Sequence, residues 1–215
     1  MEVFDIFPNP IYREVYPDAK NLKKVIIDIM QDKDMIVNGM SSELFHYENI
    51  STESFLYKKE FDSFREWIEE KSTEFVRDVL GYSLESKMLV TNSWANICNS
   101  GGSQYPHYHT NAYISGTYYV NFEEGHAPLF FRHTDSATHS SSPSISLESN
   151  KERPGKYNSD VIIWPKEGEL LLWQSNLSHG YVNNQKDNRV SVSMNLMPEI
   201  VNNDKYSYRV VPMPR

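Results

Sequence analysis

The spacing of apolar and polar positions changes period once along this chain. In DAKNLKKVIIDIMQD, Leu22, Val25, Ile26, Ile29 and Met30 recur three and four residues apart. That spacing predicts an amphipathic helix opened by Asp18 as N-cap. In EFDSFREWIEEKSTEFVRDVLG, Phe61, Phe64, Ile68, Phe75 and Val79 keep one face, and Gly81 is a natural stop. Residues 33–59 between them read as mixed loop and short strand. From about residue 87 the period shortens. KMLVTNSWANICNS, AYISGTYYVNF, APLFFRHT, SDVIIWP, GELLLWQS, HGYVNN and RVSVSMNLMP are short strand-like runs split by Gly, Asn, Pro and Ser.

Helices first and short strands second predict a β-sandwich, jelly roll or barrel with two helices braced against one sheet. The expectation is one domain over 1–215, with helical support in 1–86 and the β core in 87–215. A polar, Ser-rich stretch over 135–160 interrupts the strands. So long a connection reads either as a lid or as a solvated loop. Trp94, Trp164 and Trp173 read as core.

Composition narrows the class. The 215 residues are 39% hydrophobic and 13% aromatic, with 14 Tyr, which is the composition of an ordered, β-rich protein. A formal net charge of -8 with no Lys/Arg cluster argues against nucleic acid as a partner. Cys98 is the single cysteine, which excludes an intrachain disulfide and argues against a cysteine-based zinc site. The N-terminus lacks a signal-peptide pattern, and no apolar run approaches the ~18 residues of a membrane span. The expectation is a cytoplasmic protein with no membrane contact.

The chemistry centres on YPHYHTNAYISGTYYVN, residues 105–121. If this run is one strand, His107 and His109 point to the same side and can reach one metal ion. H-x-H alone is a weak signal. His179, just after the apolar run GELLLWQ, supplies a third imidazole. Ten residues on, Arg189 opens RVSVSMN. An arginine inside a strand needs an anionic partner, unless it lies exposed on an edge. Arg189 and Ser191 share a strand face and could hold a carboxylate together, by guanidinium fork and hydroxyl.

The series H-x-H, SGTYYVNF, GELLLWQSNLSHGYVNN and RVSVSMN resembles the 2-oxoglutarate/Fe(II)-dependent oxygenases. The likeness is to their prolyl-hydroxylase-like branch and to small 2OG-Fe(II) oxygenases of bacteria and phages. The motifs cover residues 92–197, and FDIFPNPIYREV resembles the start of that subgroup. The resemblance implies a double-stranded β-helix, a cupin-like jelly roll. It implies Fe(II), 2-oxoglutarate as co-substrate and O2. Carried across, His107 and His179 are metal ligands, and Arg189 with Ser191 binds the far carboxylate of 2-oxoglutarate. Tyr119 falls where relatives place a tyrosine on that carboxylate, though core packing explains it equally well.

The chain departs from the family at the middle ligand, where His109 stands in place of the usual Asp or Glu. His133 and Asp135 form a literal H-x-D, but only VIIW and GELLLW separate them from His179. The family requires more strands than that, so His107, His109 and His179 are the expected ligand set. A third histidine leaves the protein–metal unit one charge more positive, and three imidazoles also suit zinc, nickel or copper. Asn96 or Asn195 could orient the ligating rings.

The leading expectation is therefore a hydroxylase coupling 2-oxoglutarate decarboxylation to C–H oxidation. A three-histidine, cupin-like dioxygenase acting without 2-oxoglutarate and a non-catalytic jelly-roll binding module are the alternatives. The substrate class stays open between a small molecule and a protein side chain, and this architecture often forms homodimers.

Overall fold

The computed structural model describes residues 2, 8–31, 35–47, 54–132, 152, 160–203 and 205–213. Helix α1 spans Ala19–Gln31, and Leu22, Ile26 and Met30 form its buried stripe. Asp18 stands at its start: its carbonyl accepts the Leu22 N–H at 3.1 Å, and its carboxylate accepts the Asn21 side-chain amide. Val25 is exposed, so the apolar stripe is narrower than the sequence spacing predicts.

Helix α2, Asp62–Glu74, buries Phe64 and Ile68 and runs into a π-helical turn, Phe75–Val79. The wider turn breaks the 3.6-residue period. Val76 turns inward and Val79, expected on the buried face, turns out. Gly81, at φ 75°, ends the helix as anticipated, and the Tyr82 N–H closes back to the Val76 carbonyl at 3.1 Å.

The strands are β1 (Tyr12–Val15), β2 (Met35–Val37), β3 (Leu44–Tyr47), β4 (Met88–Cys98), β5 (Gln104–His107), β6 (Ile114–Asn121) and β7 (Leu129–Arg132). They continue with β8 (Val161–Ile163), β9 (Glu169–Gln174), β10 (Ser178–Tyr181), β11 (Arg189–Pro198), β12 (Ile200–Asn203) and β13 (Tyr206–Arg209). One seven-stranded antiparallel sheet has the order β1-β9-β6-β11-β4-β3-β2. A four-stranded antiparallel sheet has the order β5-β10-β7-β8. From β4 to β11 the chain winds between the two sheets, four strands in each. This is the double-stranded β-helix, a jelly roll.

The large sheet is buried on both faces, which explains why GELLLWQ shows no polar alternation. Leu170 and Leu172 pack outward among the helices with Phe64, Ile68 and Tyr118. Leu171 and Trp173 point inward with Tyr119, Leu129 and Phe131. The two helices cover one sheet, as the amphipathic patterns require.

Three features differ from the sequence reading. The run 105–121 is not one strand: β5 belongs to the small sheet and β6 to the large one. Asn111, at φ 58°, lies in the crossing between them. Trp164 is not core but 60% exposed, because β8 is the outermost strand of its sheet. The N-terminal residues also supply β1, which pairs with β9 at the edge of the large sheet. Most of the polar stretch 135–160 lies outside the described residues. No helix among the described residues is long and apolar enough to cross a membrane.

Candidate metal centre

Strands β5 and β10 are antiparallel neighbours, and His107 sits opposite His179 in their register. Directly opposed residues send their side chains to the same face. Gly180 permits this pairing: a Cβ there would strike the Gln104 carbonyl of β5. His109 lies two residues past the end of β5, anchored by its N–H on the Ser175 carbonyl at 3.0 Å. The strand-face argument from the sequence therefore fails for His109. A turn off the strand, not alternation along it, brings its ring in. Ring centroids are 4.5 Å apart for His107–His179, 5.1 Å for His107–His109 and 5.2 Å for His109–His179. One ring nitrogen from each lies within 4.8 Å of the other two.

Two of the tautomers follow from the backbone. The His107 Nδ1–H donates to the Tyr105 carbonyl at 2.9 Å, and the His179 Nδ1–H donates to the Leu177 carbonyl at 2.8 Å. A carbonyl can only accept, so each ring carries its proton on Nδ1 and offers the Nε2 lone pair. These carbonyls do the orienting expected of Asn96 or Asn195. Asn96 instead bonds His46 at 2.6 Å, and Asn195 accepts from Ser115 at 3.0 Å. Burial pushes His179 down to about 3, helped by His107 and His109 and opposed by the Leu177 carbonyl. Burial, then His107, pushes His109 down to about 4. Both rings are thus neutral and ready to bind metal.

The rest of the cavity comes from β4, β6, β7, β9, β10 and β11. On β11, Arg189, Ser191 and Ser193 line it in strand alternation. Ser191 pairs with Tyr119 on β6. Arg189 is 2% exposed. Its Nε–H donates to the Ala127 carbonyl at 3.0 Å, and its guanidinium lies 3.9 Å from the Tyr181 ring centroid and 5.3 Å from that of Tyr119. Tyr181 is two residues from His179 on β10, so one strand supplies both a histidine and the aromatic floor under Arg189. No carboxylate among the described residues pairs with this buried cation, and none lines the cavity. Burial pushes the Tyr119 phenol up, against the pull of Arg189, which keeps it a neutral donor.

All six expected site residues line one cavity. The rival pair His133 and Asp135 lies outside the described residues. Sequence reasoning missed three wall residues. Trp94 has its ring 5.8 Å from that of His109, Tyr181 lies under Arg189, and Trp173 lies 4.7 Å from the His179 ring. The alternation His179–Tyr181 could have revealed the second of these. Nothing in the apolar run LLLW separates Trp173 from plain core.

Residues 92–195 match the model of the family described as "Putative 2OG-Fe(II) oxygenase". No curated protein matches the chain. The fold is similar to that of HygX from Streptomyces hygroscopicus, solved with nickel, 2-oxoglutarate and hygromycin B bound. The identity is 10%, the match covers 88% of this chain and 83% of that one, and the TM-score is 0.58. It is similar to the epimerase SnoN in complex with Fe3+, alpha ketoglutarate and nogalamycin RO, at 10% identity, 89% and 80% coverage and TM-score 0.61. It is also similar to a Pseudomonas putida prolyl-4-hydroxylase, at 10% identity, 87% and 92% coverage and TM-score 0.58. The matched segment, just under half of the chain, holds the three histidines, Tyr119, Arg189 and Ser191 on a double-stranded β-helix, and over that segment the chain is similar to the 2OG-Fe(II) oxygenases.

Proposed function

We propose that this enzyme is a non-haem Fe(II)- and 2-oxoglutarate-dependent dioxygenase that hydroxylates a C–H bond of a small molecule or a protein side chain. The observation that carries the reading is Arg189: a guanidinium 2% exposed, with no carboxylate partner among the described residues, in the same cavity as three converging histidines. A buried unpaired cation is costly, and a dianion entering the cavity removes that cost. HygX and SnoN hold 2-oxoglutarate beside nickel or iron in the same fold.

In this reading His107 and His179 bind Fe(II) through Nε2, and His109 completes the face. Arg189 forks the far carboxylate, with Ser191 and Tyr119 as further donors. Leu129, Phe131 and Trp173 form an apolar wall near His179 that excludes water. Bound Fe(II) supplies O2 activation coupled to decarboxylation of 2-oxoglutarate to succinate and CO2. With His109 neutral, the ligand set carries no charge, so the co-substrate dianion supplies the negative charge facing the metal.

The test is anaerobic titration of the Fe(II)-loaded protein with 2-oxoglutarate. A saturable metal-to-ligand charge-transfer band, and succinate on admitting O2, are expected. Oxygen uptake on a carboxylate substrate with no 2-oxoglutarate requirement would instead support a three-histidine dioxygenase. Absence of both the band and oxygen uptake would overturn the dioxygenase reading.

A further inference from the structure

Among the described residues, four buried side-chain polar atoms lack a hydrogen-bond partner: Ser72 Oγ, Tyr118 Oη, Tyr119 Oη and Trp173 Nε1. Ser72 belongs to α2, and Tyr118 packs on Tyr16 and Phe64 on the helix-covered face. Tyr119 and Trp173 line the histidine cavity. Tyr119 lies at the Arg189 end. Trp173 lies at the other end. Its ring is 4.7 Å from His179 and 5.3 Å from Phe131. It pairs with Ser115, which pairs in turn with Asn195. On β11, Asn195 is about 20 Å of extended chain from Arg189.

An indole nitrogen only donates, and it cannot turn to accept. A phenyl ring suffices in this wall, as Phe131 shows beside it. A tryptophan whose N–H is stripped of water and left unpaired weakens the fold unless something else accepts that bond. Trp173 lines the cavity, so an occupant of the cavity can supply that acceptor.

We infer that Trp173 is a positioning residue for the co-substrate: its Nε1–H donates to the carboxylate at the metal end of a bound 2-oxo acid. Arg189, Ser191 and Tyr119 hold the far end. The inference rests on the 2-oxoglutarate reading above. It adds a neutral donor beside His179, where no charged group among the described residues lines that end of the cavity to orient the 2-oxo acid.

The experiment uses zinc-loaded protein and measures 2-oxoglutarate affinity by calorimetry. Trp173→Phe should bind zinc like wild type and bind 2-oxoglutarate about tenfold more weakly. The same factor should be lost for 2-oxobutanoate, which keeps the 2-oxo acid but lacks the far carboxylate. Arg189→Met should lose affinity for 2-oxoglutarate but little for 2-oxobutanoate. A second readout needs no destabilised variant. The Trp173 indole N–H resonance of the ¹⁵N-labelled wild type, assigned by elimination of the other three tryptophans, should move downfield on adding 2-oxoglutarate. Wild-type affinity in Trp173→Phe, or an unmoved resonance during binding, would overturn the role of Trp173 and leave the oxygenase reading standing. Absence of 2-oxoglutarate binding by the wild type would overturn both.

Discussion

His107 and His179 oppose each other across the β5–β10 pair, and each bonds through Nδ1 to the carbonyl two residues before it. The two strands therefore present mirrored rings with Nε2 free. The pairing depends on Gly180, since any side chain there meets the backbone of β5. Gly180→Ala should lower stability by about 1–3 kcal/mol and reduce metal affinity with it. Thermal unfolding together with zinc titration checks this. A variant with normal affinity would show that β5 tolerates the shift.

His109 reaches the centre from outside the strand, so its membership of the ligand set is the most exposed assignment. His109→Asp should retain Fe(II), since a carboxylate at this place is the family's usual ligand. His109→Leu should lose at least tenfold in metal affinity. Metal content after dialysis separates them. Equal content in the Leu variant removes His109 from the ligand set.

Arg189 is buried without a carboxylate partner among the described residues, an arrangement that costs the unliganded fold stability. Arg189→Met replaces a buried unpaired cation by an apolar chain of similar length. The metal-free variant should be as stable as wild type or about 1 kcal/mol more stable. Its 2-oxoglutarate affinity should fall roughly tenfold to 100-fold, the range for a lost charged hydrogen bond. Denaturant unfolding and calorimetry on one preparation test both halves. Strong destabilisation would point to an anionic partner already present in the fold.

The buried imidazoles make the metal-free fold acid-sensitive. His179 and His109 stay neutral to about pH 3 and 4 in the folded chain, whereas an unfolded histidine protonates near 6.5. Below pH ~6.5 the unfolded chain binds more protons, so stability falls as pH falls toward the folded values. The slope for fully buried His179 is about 1.4 kcal/mol per pH unit. Denaturant midpoints of chelator-treated protein at pH 7, 6 and 5 should decline, and more shallowly in His179→Leu. Parallel profiles would show that His179 takes up its proton without unfolding.

Much of this was legible in the residues themselves. The period change near residue 87 separates helices from strands, because one buried face imposes a period of 3.6 or 2. The pairing of Arg189 with Ser191 is a consequence of alternation and survives in the structure. The order of the motifs was enough to connect His107 with Arg189, 82 residues further on. Local pattern sets which side chains share a face where the element stays regular, as at Arg189 and Ser191, and fails where it does not, as at His109 beyond β5 and at Val79 in the π-helical turn.

Which face is covered, and by what, was decided only by tertiary structure. VIIW and LLLW read alike, yet Trp164 is 60% exposed and Trp173 1%. The strand of the first is a sheet edge and that of the second lies inside a sheet covered on both sides. His107 and His109 look like strand neighbours, but the chain leaves one sheet for the other between His107 and Ile114. Hydrogen bonding between strands distant in sequence fixes those positions. Neighbouring residues carry no record of that pairing, so the metal end of the cavity emerges only when β5, β9 and β10 come together.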